Sequence, residues 1–230
     1  MCGRYAITLP PEAMRRLFGY AEQPNFPPRY NVAPTQPVPI VRAAGGGRHF
    51  GLVRWGFLPG FVKDPKTFPL IINARAEDIE TKPSFRAGIR RRRCLFIADG
   101  WYEWRRLTDA RGKMVKQPFL LRARDRGPLG FAGLWETWSD PQGGEVDTGC
   151  IITTSANGAT CAIHERMPAI IAPADFDRWL DCADDRVSRT EMLKPAPDGQ
   201  IEFFEVSPKV NNHRNEGPDL QTPVGQALLI

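Results

Sequence analysis

Strand-like runs of apolar and polar residues dominate this chain. CLFIAD, WYEWRRL, QPFLLRAR, GFAGLWETW and GCIITT follow one another between residues 94 and 154, each of strand length and rich in aromatic and β-branched side chains. Turn chemistry in DARGK, RDRG and DPQGG separates most of them. Upstream, VPIVRA and RHFGLVRW flank Gly45, Gly46 and Gly47 and predict a hairpin. FPLIINARAE begins as a buried strand and ends in polar residues, and IEFFEV predicts a late strand.

Helical spacing is confined to short stretches. LPPEAMRRLFGY predicts a helix with Pro11 in its first turn, Met14, Leu17 and Phe18 on one face, and Gly19 as the stop. KPSFRAGIRRR predicts a second, with Pro83 and Ser84 at its start. APADFDRWLD predicts a third, with Phe176, Trp179 and Leu180 turned inward. QPNFPPRYNVAPTQP is too proline-rich for regular structure and predicts an ordered, extended loop. The tail from Pro208 is polar and loop-like. Strands do not alternate with helices in βαβ fashion, so the pattern predicts an α+β fold with a dominant antiparallel sheet or barrel. No repeat or low-complexity linker divides residues 1–230, and a single domain is expected.

Composition changes this picture little; charge and cysteine usage change it more. The chain has 230 residues, 42% hydrophobic and 25% charged, which suits a globular protein with a real core. The first twenty residues include Arg4, Glu12, Arg15 and Arg16, with no signal-peptide-like run, and no stretch is apolar enough to span a bilayer. The expectation is a cytoplasmic protein with no membrane partner. The five cysteines (Cys2, Cys94, Cys150, Cys161 and Cys182) form no C-x-x-C pair and suggest no disulfide framework. Cys161 and His164 make a lone C-x-x-H without a second ligand pair, so no metal is expected. Net charge is +5, with Arg86 and Arg90 to Arg93 clustered before Cys94. A solvated helix face and a nucleic-acid surface are both open readings of that cluster.

Several polar residues interrupt apolar strands and are candidates for chemistry. Asn73 and Arg75 stand two apart at a strand end, hence on one face; they are either a surface pair or part of a site. Glu103 lies among Trp101, Tyr102 and Trp104, where desolvation would raise its pKa and fit it for proton transfer near neutrality. The alternative is an exposed glutamate, since alternation puts Trp101 and Glu103 on one face and Tyr102 and Trp104 on the other. Of the three histidines, His49 falls in the hairpin and His213 in the tail, leaving His164 as the candidate for chemistry. Trp55, Trp101 and Trp104 are either core residues or platforms for unpaired bases. Cys2 directly follows the initiator methionine, whose removal is normal before a small side chain. Read alone, its position is incidental.

Taken together, MCGRYA, YNVAPTQ, WGFLPG, INARAE, RRCLFIADGWYEW, FAGLWE, TTSAN and IHERMP resemble, in order, the SOS response-associated peptidase (SRAP) family, whose members act on abasic sites in DNA. The likeness runs from residue 2 through SPKVNNHRNEGP. It implies a barrel-like antiparallel core with short flanking helices and a DNA groove ending at the N-terminal cysteine. Cys2 matches the family nucleophile, Asn73 the active-site asparagine, Glu103 the glutamate of the Y-E-W motif and His164 the histidine of H-x-R-M-P. Arg4 and Arg75 match arginines on the DNA backbone, and Trp55 falls in a motif near displaced bases. One departure is FIADG, where Ile97 fills a place more often held by proline. Single-stranded DNA with abasic sites is the expected partner, because a duplex would hide the sugar and resist a sharp bend, and a monomer without a cofactor is expected.

It also gives position 2 a chemical meaning. An α-amine, with a reference pKa of about 7.7–8.0, is far more often unprotonated at neutrality than lysine. It can attack the open-chain aldehyde of an abasic sugar to give a Schiff base. The adjacent thiol then closes on the imine carbon to form a thiazolidine. Only a terminal cysteine can do this, because an internal one has its nitrogen in an amide. Two rivals stand beside this expectation: a cysteine peptidase using Cys2 and His164 with Asn73 or Glu103, and a non-catalytic nucleic-acid-binding module.

Overall fold

In chain order the strands are β1 (Tyr5–Ile7), β2 (Arg29–Val32), β3 (Pro37–Ala44), β4 (Gly47–Trp55), β5 (Asn73–Arg75), β6 (Arg93–Ala98) and β7 (Gly100–Thr108). They continue with β8 (Met114–Ala123), β9 (Leu129–Ser139), β10 (Glu145–Ser155), β11 (Arg166–Pro168), β12 (Ile170–Ile171) and β13 (Ile201–Glu205). Short helices α1 (Pro11–Phe18), α2 (Gly88–Arg91) and α3 (Phe176–Leu180) flank them. This is a computed structural model, and it describes residues 2–108, 111–140 and 142–224. Met1, the start of the DARGK turn, Pro141 of DPQGG and residues 225–230 of the tail lie outside the described residues.

Five strands close on themselves. β3 pairs with β4 and β6, β6 with β9, β9 with β10, and β10 runs parallel to β4 at Thr148 and Gly149. Closure removes the exposed edges that an open sheet would present. The β3–β4 hairpin has the two-residue loop that the glycine run predicts: Ala44 faces Gly47, while Gly45 (φ 54°) and Gly46 (φ 81°) take the left-handed conformations such a turn demands. β5 and β11 extend the barrel from β10, and β12 extends it from β9. A second sheet, in the order β13-β8-β7-β1-β2, packs beside it. The expected α+β class with a barrel-like antiparallel core and short helices is what the chain adopts.

The main core fills the barrel and the space between the sheets, with Trp101 edge-on to Phe131 at 5.8 Å between ring centres. A smaller cluster of Ala6, Tyr102, Leu120, Phe204, Val206 and Val210 covers the other face of the second sheet. β7 is therefore buried on both sides through residues 101–103, and alternation leaves no solvent face for Glu103.

Three expectations are corrected. Within the proline-rich segment Arg29–Val32 forms a strand on β1, anchored because Asn31 donates to the carbonyls of Val210, Asn212 and Asn215. The same bonds dock the loop-like tail: a 3-10 turn at Pro208–Asn211 is locked onto β2, and Val210 and Leu220 are buried. FPLII is not a buried strand, since Leu70 is exposed and regular pairing starts only at Asn73. The helix over KPSFRAGIRRR shrinks to Gly88–Arg91, and its arginines are not one solvated face. Arg91 pairs with Asp185 and Arg92 with Glu136, while the buried Arg93 donates to the carbonyls of Trp179, Ile89, Arg90, Val187 and Asp181. That guanidinium ties β6 to the end of α3, while Arg86 and Arg90 are exposed. Ile97 pairs with Gly130 inside β6, and the strand continues smoothly where proline would interrupt it.

Candidate active site

β1 pairs antiparallel with β7 so that Tyr5 lies opposite Trp101, and the Tyr102 N–H donates to the Arg4 carbonyl. Continuing this register toward the amino end carries Gly3 opposite Glu103 and brings Cys2 beside it. Cys2 is fully buried. From the other side, β5 pairs parallel with β10 (Asn73 opposite Ile151), and Asn73 Nδ2 donates to the Cys2 carbonyl at 2.9 Å. The Asn73 Oδ1 atom is buried and has no hydrogen-bond partner among the described residues. An unpaired buried acceptor is costly and marks a place where a donor is missing. Two strands from different parts of the fold thus converge on Cys2.

Glu103 is 2% exposed, and burial pushes its carboxyl up to about 7, against the opposing positive charge of the amino terminus. Burial likewise drives the Cys2 thiol well above its ordinary range, and the nearby Glu103 carboxylate adds to the push. His164 follows the 3-10 turn Thr160–Ala162 and accepts the Arg166 N–H on Nδ1 at 3.0 Å. That bond assigns the proton of the neutral ring to Nε2. Burial first, then the charge of the amino terminus, lowers the His164 pKa and favours this neutral form. Glu103 and His164 line one open cavity of about 410 Å³, together with Trp104, Arg106, Lys116 and Asn211.

The remaining candidates divide. Arg75 is exposed on β5, on the rim of a second depression of about 550 Å³ that also includes Asn73, Lys82 and Leu70. Arg4 is not a free cation: its guanidinium donates to Asn31 Oδ1 at 2.8 Å and to the carbonyls of Val210 and Asn211, bracing the tail against the amino end. Trp55 is corrected outright. It is fully buried, edge-on to Tyr5 at 5.1 Å, and its indole N–H donates to the Ile72 carbonyl at 3.0 Å. No base can stack on it; it supports the entry to β5 from beneath. Trp55→Ala should therefore cost about 3–5 kcal/mol in denaturant unfolding, the usual price of emptying a large aromatic site. Unchanged stability with weakened DNA binding would reinstate the surface reading. Trp101 is buried as well, so of the three tryptophans only Trp104 reaches the cavity, its indole N–H donating to Asn211 Oδ1 at 2.7 Å.

Residue-by-residue reading missed Arg106, Lys116 and Asn211. No local pattern marks them, because they meet only through the β7–β8 register and the docking of the tail. The Cys161 thiol turns to the Gly158 carbonyl at 3.1 Å, away from any joint role with His164.

The family model described as SOS response associated peptidase (SRAP) matches residues 1–213. This chain belongs to the SRAP family. Among SRAP relatives, it is 34% identical to the abasic site processing protein YoqW of Bacillus subtilis over 224 residues, covering 96% of this chain and 98% of that protein. It is 30% identical to the abasic site processing protein YedK of Escherichia coli, covering 97% of this chain and all of the relative. The rat abasic site processing protein HMCES is 29% identical over 273 residues, with 97% of this chain and 76% of that protein covered. A solved structure from Bacteroides thetaiotaomicron superposes with a TM-score of 0.83 at 23% identity, over 97% of this chain and 100% of the other, which shows that the two share a fold. Among the described residues no helix is long and apolar enough to cross a membrane.

Proposed function

We propose that this protein processes abasic sites in DNA by capturing the sugar covalently on Cys2, once the residue before it has been removed. The observation that carries the reading is the convergence on Cys2 of Asn73 from β5 and Glu103 from β7, with His164 on the same cavity. The names of the SRAP relatives supply the lesion.

The chemistry balances with these groups alone. His164 Nε2–H donates toward the sugar ring oxygen as the hemiacetal opens, and the C1′ hydroxyl gives up its proton in exchange, restoring the imidazole. The freed Cys2 nitrogen adds to the C1′ aldehyde, and Glu103, half protonated near pH 7, gives its proton to the departing water as the imine forms. The thiol is held protonated by burial, so ring closure needs a base, and the Glu103 carboxylate is placed to take that proton while sulfur adds across the C=N bond. One water leaves overall. Asn73 Oδ1 supplies the acceptor for the liberated amine, satisfying an atom that otherwise has no partner. The lesion lies on single-stranded DNA, because a duplex would hide the sugar from a recessed thiol. Arg75 beside Asn73 gives the strand a cation away from the cavity, while Lys82 on the same depression is paired with Asp78 at 2.6 Å. Shielding the lesion follows from the bond itself.

A thiol–imidazole peptidase needs a depressed cysteine pKa. The direction for Cys2 is the opposite, and the charges that shift it are Glu103 and the amino terminus, without an imidazole. Capture is therefore favoured over proteolysis of foreign chains, while self-removal of the leading residue is compatible with capture. The test mixes purified protein with uracil-containing single strands pretreated with a uracil glycosylase. A heat-stable shifted band on a denaturing gel, absent with the undamaged strand, is expected. Cleavage of unrelated peptides without such a band would favour the peptidase, and abasic-indifferent binding alone would favour a non-catalytic module.

A further inference from the structure

We infer that Arg106 and Lys116 form a phosphate subsite on the rim of the Glu103–His164 cavity, taking one phosphodiester next to the reacting sugar. The inference rests on the abasic-DNA reading above and adds to it a fixed direction for the bound strand.

Arg106 on β7 lies directly opposite Lys116 on β8. Like charges facing each other across an antiparallel pair repel, with Cβ atoms only about 4.5–5.5 Å apart. Elsewhere this sheet neutralises its arginines: Arg105 pairs with Glu205, and Arg122 and Arg126 both pair with Glu202. Neither Arg106 nor Lys116 has a carboxylate partner among the described residues, and both are exposed. Both line the cavity that holds Glu103 and His164. Glu103 is buried, and burial favours its neutral form, so it offers neither cation an exposed carboxylate partner. Among the described residues this sheet leaves a facing cation pair unneutralised only at the mouth of the cavity, where it can hold an anion. A guanidinium fork beside an ammonium suits the two free oxygens of a phosphodiester. A phosphate is also the anion that any sugar in that cavity brings with it. Because the pair sits on one side of the cavity, it engages the phosphate on one side of the lesion and so sets strand polarity.

The test separates this claim from the Cys2 chemistry by using undamaged single-stranded DNA first. For Arg106→Gln/Lys116→Gln, the slope of log K against log salt should become shallower by about 0.7, one phosphate's worth of counterion release. On abasic strands at subsaturating concentration, crosslinking should slow about tenfold or more, as expected for losing hydrogen bonds to a charged group. Saturating DNA should restore the rate. Replacing the phosphate immediately 5′ or 3′ of the lesion by an uncharged methylphosphonate should slow the wild type at one position only, with no further effect on the double variant there. Lys116→Glu should raise the melting temperature by about 1–3 °C, by neutralising the cross-strand repulsion, while weakening DNA binding. An unchanged salt slope, or methylphosphonate effects that add fully to the variant's defect at both positions, would overturn the subsite. A wild type that binds DNA with the expected slope but forms no crosslink overturns the Cys2 chemistry and leaves the subsite standing.

Discussion

Cys2→Ala is expected to abolish the heat-stable crosslink while leaving a bond that sodium borohydride can trap. Alanine is small enough for the preceding methionine to be removed, so the α-amine remains and the aldehyde still forms a Schiff base. What is lost is the sulfur that closes on the imine carbon, and an imine without that closure hydrolyses on heating. The effect is close to all-or-none for the stable band. It is not a folding artefact: truncating one buried thiol to a methyl costs about 1 kcal/mol, well inside the stability of a domain of this size. Parallel denaturing gels with and without borohydride check it. A heat-stable band persisting in Cys2→Ala without reductant would move the chemistry to another residue.

Glu103→Gln carries the second large effect, in opposite directions for rate and stability. The folded carboxyl titrates near 7 against an ordinary 4.5, because it is buried. Between those values the folded chain holds a proton that the unfolded chain has released, so wild-type stability is greatest below about pH 4.5. It falls as pH rises through 7, by at most about 3 kcal/mol. Glutamine removes the titration. The variant should therefore match the wild type near pH 5 and be more stable above pH 8, read as the difference between the two urea-midpoint profiles. Its crosslinking rate should fall about a hundredfold or more, the usual worth of a positioned proton donor and acceptor, and lose the limb of the pH profile centred near 7. Equal pH profiles of stability would show that Glu103 is solvated. An unchanged rate would assign proton transfer elsewhere.

The fold was largely legible because its elements are local. The glycines at 45 and 46 permit one turn type, and Phe176, Trp179 and Leu180 share one helical face and are buried as that spacing predicts. Legibility failed where distant partners decide. Nothing near Arg29–Val32 announces a strand, because its anchor is the tail 179 and 181 residues on, through Asn31. Arg93 reads as one more surface charge until five carbonyls from α2, α3 and the segment after it converge on its guanidinium. Trp55 looks equally like a base platform or a core residue until the barrel closes over it. At the site, the aromatic neighbours of Glu103 hinted at desolvation, but its burial required cover on both faces of β7. That Asn73 reaches the Cys2 carbonyl depends on the parallel β5–β10 register, which no alternation of residues encodes.

The most direct test is the mass of the tryptic peptide Cys2–Arg4 from wild-type protein crosslinked to an abasic oligonucleotide and then stripped of the rest of the DNA. The account predicts that this peptide begins at Cys2, lacks a thiol that iodoacetamide can alkylate, and carries the sugar remnant with the loss of one water. A peptide that retains Met1, or an alkylatable Cys2 with the sugar attached to another residue, would contradict it.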